Sequence, residues 1–247
     1  MKNNRKIDKL SEDSFKKART LLEMLKLLDS NRYWFRIDFT FSKFSQDFVD
    51  LMHDENYDLI YRTARANTDY DILLADGSFF QFTISPKVCR FAYYQSPYNL
   101  FFSDDQFLHD DTSFENFISN EDKIFGYMTD ERNSDFERDY EQLLDEAEER
   151  KYITPIRYDF DPKTHESNIY HSTAHLHIGL EQSVRIPLQR VLYPLDFVVF
   201  VLRMIYFDKF CEGMKDPNIQ KYLTIKSLKN IDGDSFSKDE ERQLYLF

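Results

Sequence analysis

The stretch Tyr70-Asp-Ile-Leu-Leu-Ala-Asp-Gly-Ser-Phe-Phe-Gln-Phe-Thr-Ile84 decides the fold. Two apolar runs, 70–75 and 78–84, flank Asp76-Gly77. Asp-Gly tolerates the positive φ angles of a tight hairpin, so the stretch predicts two antiparallel strands joined by a type I′ turn. Residues 88–94, after Pro86, read as a third strand.

Working outward, strand patterns recur at 33–41, 155–160, 174–178 and 184–186, and helical spacing of apolar residues at the positions between them. Ser11 or Ser14 is a candidate N-cap for a helix carrying Phe15, Ala18, Leu21, Leu22, Leu25 and Leu28, with Asn31 as its stop. Residues 47–65 read as a helix in two pieces, with Phe48, Leu51, Leu59, Ile60 and Ala64 facing inward. Residues 113–118 and 135–150 add two helices, and Pro194 opens another over 195–210. Strands and helices come in runs and do not alternate strictly. The expected class is therefore α+β, a mixed or mainly antiparallel sheet packed by helices.

With 247 residues, seven Pro and five Gly, the chain has no flexible linker of the usual kind. One domain over 1–247 is expected, with an acidic helical insertion at 100–150 and a polar C-terminal tail at 212–247. Forty Phe and Tyr residues exclude a disordered chain. Cys89 and Cys211 form no disulfide framework and fit a cytoplasmic setting. The apolar stretch 197–207 is too short to span a bilayer and contains Arg203, so no membrane association is expected.

The formal net charge of −12 is concentrated in one place. Residues 103–150 hold 17 acidic against four basic side chains, a net −13, which leaves the remainder about neutral. A solvated helical face is the ordinary explanation of such a run; a docking surface for a basic partner, or a nucleic-acid mimic, is the alternative. No basic stripe supports independent DNA binding, so nucleic acid is expected only indirectly or through a local groove.

Three of the six histidines lie in Tyr170-His-Ser-Thr-Ala-His-Leu-His-Ile-Gly179. On a strand, His171, Thr173, His175 and His177 share one face, and Ala174, Leu176 and Ile178 share the other. Residues two apart on one face sit about 6.6 Å apart, so His175 and His177 can reach one ion. His171 lies about 13 Å back and needs a bend to join. A carboxylate from Asp159, Asp161, Glu181 or the 71–76 hairpin would complete a ligand set for a divalent metal. The alternative is a polar outer face whose histidines are hydrogen-bonded or wet.

Two named chemistries are testable on the sequence. His171-Ser-Thr173 has the His-x-Thr form of the two-histidine phosphoesterases, but the second unit those enzymes require is missing. Asp71 or Asp76 with Gln81 has the layout of a metal-dependent nuclease core. Position 83 is Thr where a charge-stabilising lysine belongs, and Lys87 replaces it only if the strand bends at Pro86. Turn chemistry explains Asp76 without any reaction. Arg185, in Arg185-Ile-Pro187, is a candidate for binding phosphate or carboxylate beside His175 or His177, or for an ion pair with Glu181 or Asp196.

His171-x-x-x-His-x-His-Ile-Gly179, Arg185-Ile-Pro187, Pro194-x-x-Phe197 and an apolar helix ending near Tyr206 resemble a bacterial domain of unknown function. So do Asp71, Asp76-Gly-Ser-Phe-Phe-Gln-Phe82, Arg90-Phe-Ala-Tyr-Tyr94 and Pro97-Tyr98; together these cover residues 33–210. The resemblance implies phage-defence cassettes in which some members are encoded beside a helicase. The leading expectation is a component of an antiviral system acting through protein contact with a helicase-type partner. Two alternatives from other classes stand beside it. One is a metal-dependent phosphodiesterase or nuclease using the His171/His175/His177 strand; the other is a sensor of a phosphorylated small ligand.

Overall fold

The computed structural model describes residues 2–28, 44–52, 56–85, 88–99, 147–163, 171–180 and 185–223, with side chains from residue 10 onward. The helices among them are α1 (Lys2–Met24), α2 (Gln46–Leu51), α3 (Tyr57–Ala66), α4 (Pro194–Ile205), α5 (Phe207–Gly213) and α6 (Pro217–Tyr222). The strands are β1 (Ile72–Leu73), β2 (Phe79–Ile84), β3 (Cys89–Tyr94), β4 (Tyr98–Asn99), β5 (Glu148–Glu149), β6 (Ile156–Phe160), β7 (Ala174–Ile178) and β8 (Ile186–Pro187). Six of these form one sheet in the order β1-β2-β3-β6-β7-β8, antiparallel at every junction. The α+β class with a mainly antiparallel sheet is thus realised. Pro187, which has no N–H to give a ladder, sits on the edge strand.

Alternation along the strands divides the sheet into two faces. One carries Phe80, Phe82, Phe91, Tyr93, Ile156, Tyr158, Ala174 and Leu176 into a core with Phe15, Ala18, Leu21 and Leu22 of α1 and Phe197, Val198, Val201 and Leu202 of α4. Each large side chain buried there contributes about 1.5–3 kcal/mol. On the opposite face, α2 and α3 cover Phe79 and Tyr94 with Phe48, Tyr57, Ile60, Tyr61 and Ala64. That second layer lies over β2 and β3 and leaves the β6–β7 part of the face to polar side chains.

The hairpin forms as predicted, with Leu73 opposite Phe79, but its turn is of another kind. The Leu74 carbonyl accepts from Gly77 N–H at 3.0 Å, and the Ser78 carbonyl from Leu74 N–H at 2.8 Å. Gly77 has φ 80°, whereas Asp76 is not among the residues with positive φ. This is a three-residue loop, a type I turn closed by a left-handed glycine, where a type I′ turn needs two positive φ angles. Asp76 keeps ordinary backbone geometry because its Oδ1 accepts Ser78 N–H at 3.0 Å.

Local expectations were overturned where tertiary contacts took over. Ser11 and Ser14 lie inside α1 and do not start it; Ser14 Oγ accepts from Leu195 N–H at 2.9 Å and so caps α4. Of the 47–65 residues expected inside, Leu59 is exposed, and Tyr57 and Tyr61 are buried instead. The 195–210 helix is two helices, broken at Tyr206, whose φ of −113° and ψ of 41° leave the helical region. Its hydroxyl donates to Asp76 Oδ2 at 2.9 Å, an anchor that fixes the break. The helix expected to reach residue 150 does not do so, because Glu148 and Glu149 pair with Asn99 and Tyr98. In the expected polar tail, α6 packs Ile219 into the main core, and Gly213 passes so close to Leu25 that a Cβ would collide with Leu25 Cδ2. The expected strand at 33–41, the helix at 113–118 and most of the acidic insertion lie outside the described residues. Among the described residues, no helix is long and apolar enough to cross a membrane.

Candidate metal centre

Strands β6 and β7 build the site by register alone. Ile156-Arg-Tyr-Asp-Phe160 alternates, sending Ile156 and Tyr158 into the core and Arg157 and Asp159 to the opposite face. The histidine strand does the same with His175 and His177. Antiparallel pairing sets Asp159 opposite His175 and Arg157 opposite His177. Arg90 on β3 pairs with Asp159 from the other side.

The result is a compact cluster. Asp159, His175 and His177 each offer one ligand atom, and these atoms lie within 4.8 Å of one another. Asp159 Oδ2 is 3.9 Å from His175 Nε2 and 3.5 Å from His177 Nε2. Arg157 Nε donates to the same Oδ2 at 2.8 Å, and Arg157 Nη2 lies 3.1 Å from His177 Nε2. Arg90 Nε stands 3.7 Å from Asp159 Oδ1. The histidine face is not turned to water: His175 is 2% and His177 4% exposed. The cluster opens on the arginine side, where the Arg90 side chain is 64% exposed.

His175 is prepared as a neutral ligand. Its Nδ1 lies 2.9 Å from the Ser172 carbonyl oxygen, which accepts only if Nδ1 carries the proton. Nε2 then presents a lone pair toward Asp159, the orientation that an outer-shell carbonyl gives to metal-binding imidazoles. Burial pushes the His175 pKa down to about 4, against the opposing pull of the Ser172 carbonyl. For Asp159, burial works against ionisation. The His177 hydrogen bond and the Arg157 charge outweigh it and hold the carboxyl below its ordinary value.

His177 is less settled. If Nε2 accepts from Arg157, the proton sits on Nδ1; if Nε2–H donates to Asp159, Nδ1 is a bare acceptor. In both tautomers Nδ1 is buried without a hydrogen-bond partner among the described residues. His171 Nδ1 and Thr173 Oγ1, on the same face, share that condition. Three orphaned polar atoms in one row of seven residues are unusual in a native fold. His171 also comes closer than a straight strand permits: its ring centroid is 4.9 Å from that of His175, which is 4.8 Å from His177. Residue 171 stands outside β7, which begins only at Ala174, so the chain is free to bend between them.

The donor set fits a divalent ion. Two imidazoles and one carboxylate suit zinc, manganese, iron or cobalt, and three protein ligands leave positions open. Ligand atoms bound to such an ion stand roughly 3 Å apart, so the pairs at 3.5 and 3.9 Å need only a small contraction. Arg157 must move, however. A divalent ion and a guanidinium about 4 Å apart repel by roughly 8 kcal/mol at an effective dielectric of about 20.

Asp71, Asp76 and Gln81 are not brought to this cluster, and Glu181 lies outside the described residues. Asp71 and Asp76 belong to the hairpin at the β1–β2 end, and Gln81 lies on β2, three strands or about 14 Å from β7. Each has local work there. Asp71 Oδ2 accepts from Phe82 N–H at 2.6 Å, Asp76 receives Ser78 and Tyr206, and Gln81 Nε2 donates to the Asp69 carbonyl. Arg185, one residue before β8, is exposed, and the register that pairs Pro187 with His175 and Ile186 with Leu176 continues to set it opposite His177. The guanidinium that touches His177 is Arg157, which the sequence reading missed. Its signal was the polar pair Arg157 and Asp159 alternating with apolar residues; what was lacking was the neighbour of that strand.

The chain belongs to the family of uncharacterised conserved proteins DUF2290, whose family model matches residues 31–247. No curated protein and no solved structure matches it.

Proposed function

We propose that this member of DUF2290 binds one divalent transition-metal ion through Asp159, His175 and His177 and acts as a cytoplasmic metal-dependent phosphodiesterase of the nuclease type. The observation that carries the proposal is the convergence of one carboxylate and two buried imidazoles within 4.8 Å, on strands paired in register. When bound, such an ion supplies a Lewis acid and lowers the pKa of a coordinated water. The chain's own part is to hold His175 in its neutral tautomer through Ser172 and to exclude water beneath the histidines. Arg90 and Arg157 place positive charge at the open side, suited to a phosphodiester anion.

The biological setting is proposed on resemblance: antiviral defence, beside a helicase-type partner that would present an unwound strand. The acidic 103–150 segment is the proposed contact with that partner. A chain of net charge −12 gains little from diffuse attraction to nucleic acid, which favours delivery by a partner.

The test loads the purified chain separately with zinc, manganese and cobalt. It measures metal content, then hydrolysis of bis(4-nitrophenyl) phosphate and of labelled single-stranded DNA and RNA. One bound ion and metal-dependent turnover, both lost in Asp159→Asn and in His177→Gln, are expected. Absence of bound metal at micromolar to millimolar concentrations, or undiminished turnover in either variant, defeats the proposal.

A further inference from the structure

We infer that Arg157 is a resident counter-cation of the β6–β7 site: a divalent ion displaces it, and once displaced it forms, with Arg90, the clamp for an oxyanion of the phosphodiester class. The inference rests on the metal-binding reading above and deepens it, by coupling occupancy of the cation site to occupancy of an anion site.

The geometry makes the two cations exclusive. Arg157 Nε lies 2.8 Å from Asp159 Oδ2, and its Nη2 lies 3.1 Å from His177 Nε2. Those contacts fall on two of the three residues, Asp159, His175 and His177, that would hold an ion. The guanidinium therefore spends both contacts on the ligands themselves. Without an ion, it joins Arg90 in neutralising a carboxylate whose remaining neighbours are two buried imidazoles. With an ion, the same atoms are engaged and the guanidinium is repelled.

Arg157 has somewhere to go. Its side chain is 28% exposed, on the side where Arg90 is 64% exposed. Arg90 faces Asp159 directly across the β3–β6 ladder, and Arg157 stands two residues along on β6. An outward swing of Arg157 gathers two guanidiniums over the open side of the ion. Their fork geometry matches a phosphate's equatorial oxygens, and each is less costly to strip of water than an ammonium. An anion bridging the ion and both arginines relieves the repulsion that displacement created. Metal and anion thus strengthen one another's binding, by the same factor in each direction.

The test follows the visible absorption of Co2+ titrated into wild type, Arg157→Gln and Arg157→Lys, each with and without dimethyl phosphate, a phosphodiester too inert to be turned over. Arg157→Gln is expected to bind Co2+ on the order of tenfold more tightly than wild type without the anion, since no ion-paired guanidinium has to leave. Dimethyl phosphate is expected to tighten Co2+ binding in wild type, to do so less in Arg157→Gln, and to act in between in Arg157→Lys. Equal or weaker Co2+ binding by a folded Arg157→Gln overturns the inference and leaves the metal site standing. So does an absence of any effect of dimethyl phosphate on wild type, a measurement that needs no variant. Failure of wild type and both variants to bind Co2+ defeats the metal-binding reading itself.

Discussion

Asp159 and His175 face each other across one antiparallel strand pair, with Oδ2 3.9 Å from Nε2 and the imidazole almost wholly buried. The pairing joins a titratable acid to a base whose other nitrogen is tied to a backbone carbonyl. Stability and pH response meet in this pair.

The burial of His175 and His177 changes what their removal should do. With exposures of 2% and 4%, truncation leaves cavities in the sheet's second face. His175→Ala is expected to lower unfolding stability by about 1–3 kcal/mol, since a packed ring and a buried hydrogen bond are both lost. His175→Gln should lose less. Urea melts check this; an unchanged midpoint for His175→Ala would show that the imidazole packs against nothing.

Acid should unfold the protein from an unusually high pH. His175 has a folded pKa of about 4 against an ordinary 6.5, so the unfolded chain binds a proton that the folded one refuses. A depressed histidine pKa makes stability rise with pH through that window. Stability is complete above about pH 6.5 and falls by roughly 3 kcal/mol as pH drops toward 4, at about 1.4 kcal/mol per unit. Asp159, also depressed, adds a further loss below the ordinary carboxylate range. Denaturant midpoints between pH 7 and 4 should show the slope in wild type and a shallower one in His175→Gln. Identical slopes would remove His175 as the cause.

Gly77 carries φ 80° at the closing position of the hairpin loop. Gly77→Ala should cost about 1–2 kcal/mol, because a Cβ is strained there, and Gly77→Asn distinctly less. Thermal melts of the two variants check the ordering. Equal losses would point to a steric clash of the added Cβ, common to both variants, with backbone strain playing no part.

Val201 is fully buried on α4 between the sheet and α1. Val201→Asp places an unpaired carboxylate in that layer and should lower stability by several kcal/mol, with most of the expressed chain insoluble. Soluble expression with a normal melt would mean that α4 does not pack as described.

Much of the architecture was legible because it depends on short-range pattern. The Asp76-Gly77 hairpin, the alternation on β6 and β7 and the core stripe Phe15, Ala18, Leu21 and Leu22 are fixed by periods of two and 3.6 residues. The same alternation put His175 and His177 on one face before any neighbour was known. What the sequence by itself could not supply was the identity of neighbours. Backbone hydrogen bonds are chemically alike for every strand, so nothing local says that 156–160 lies beside 174–178. Only that pairing singles out Asp159 from the several carboxylates within reach in principle, and brings in Arg157. Tertiary contact also decided the exceptions to local rule. Tyr98-Asn99 drew Glu148-Glu149 out of a helical pattern, and Ser14 caps α4 because α4 presents its unsatisfied N–H groups there. Local periodicity sets which face a side chain takes, since that follows from one residue's geometry; long-range packing sets what that face meets, since that depends on the free energy of the whole chain.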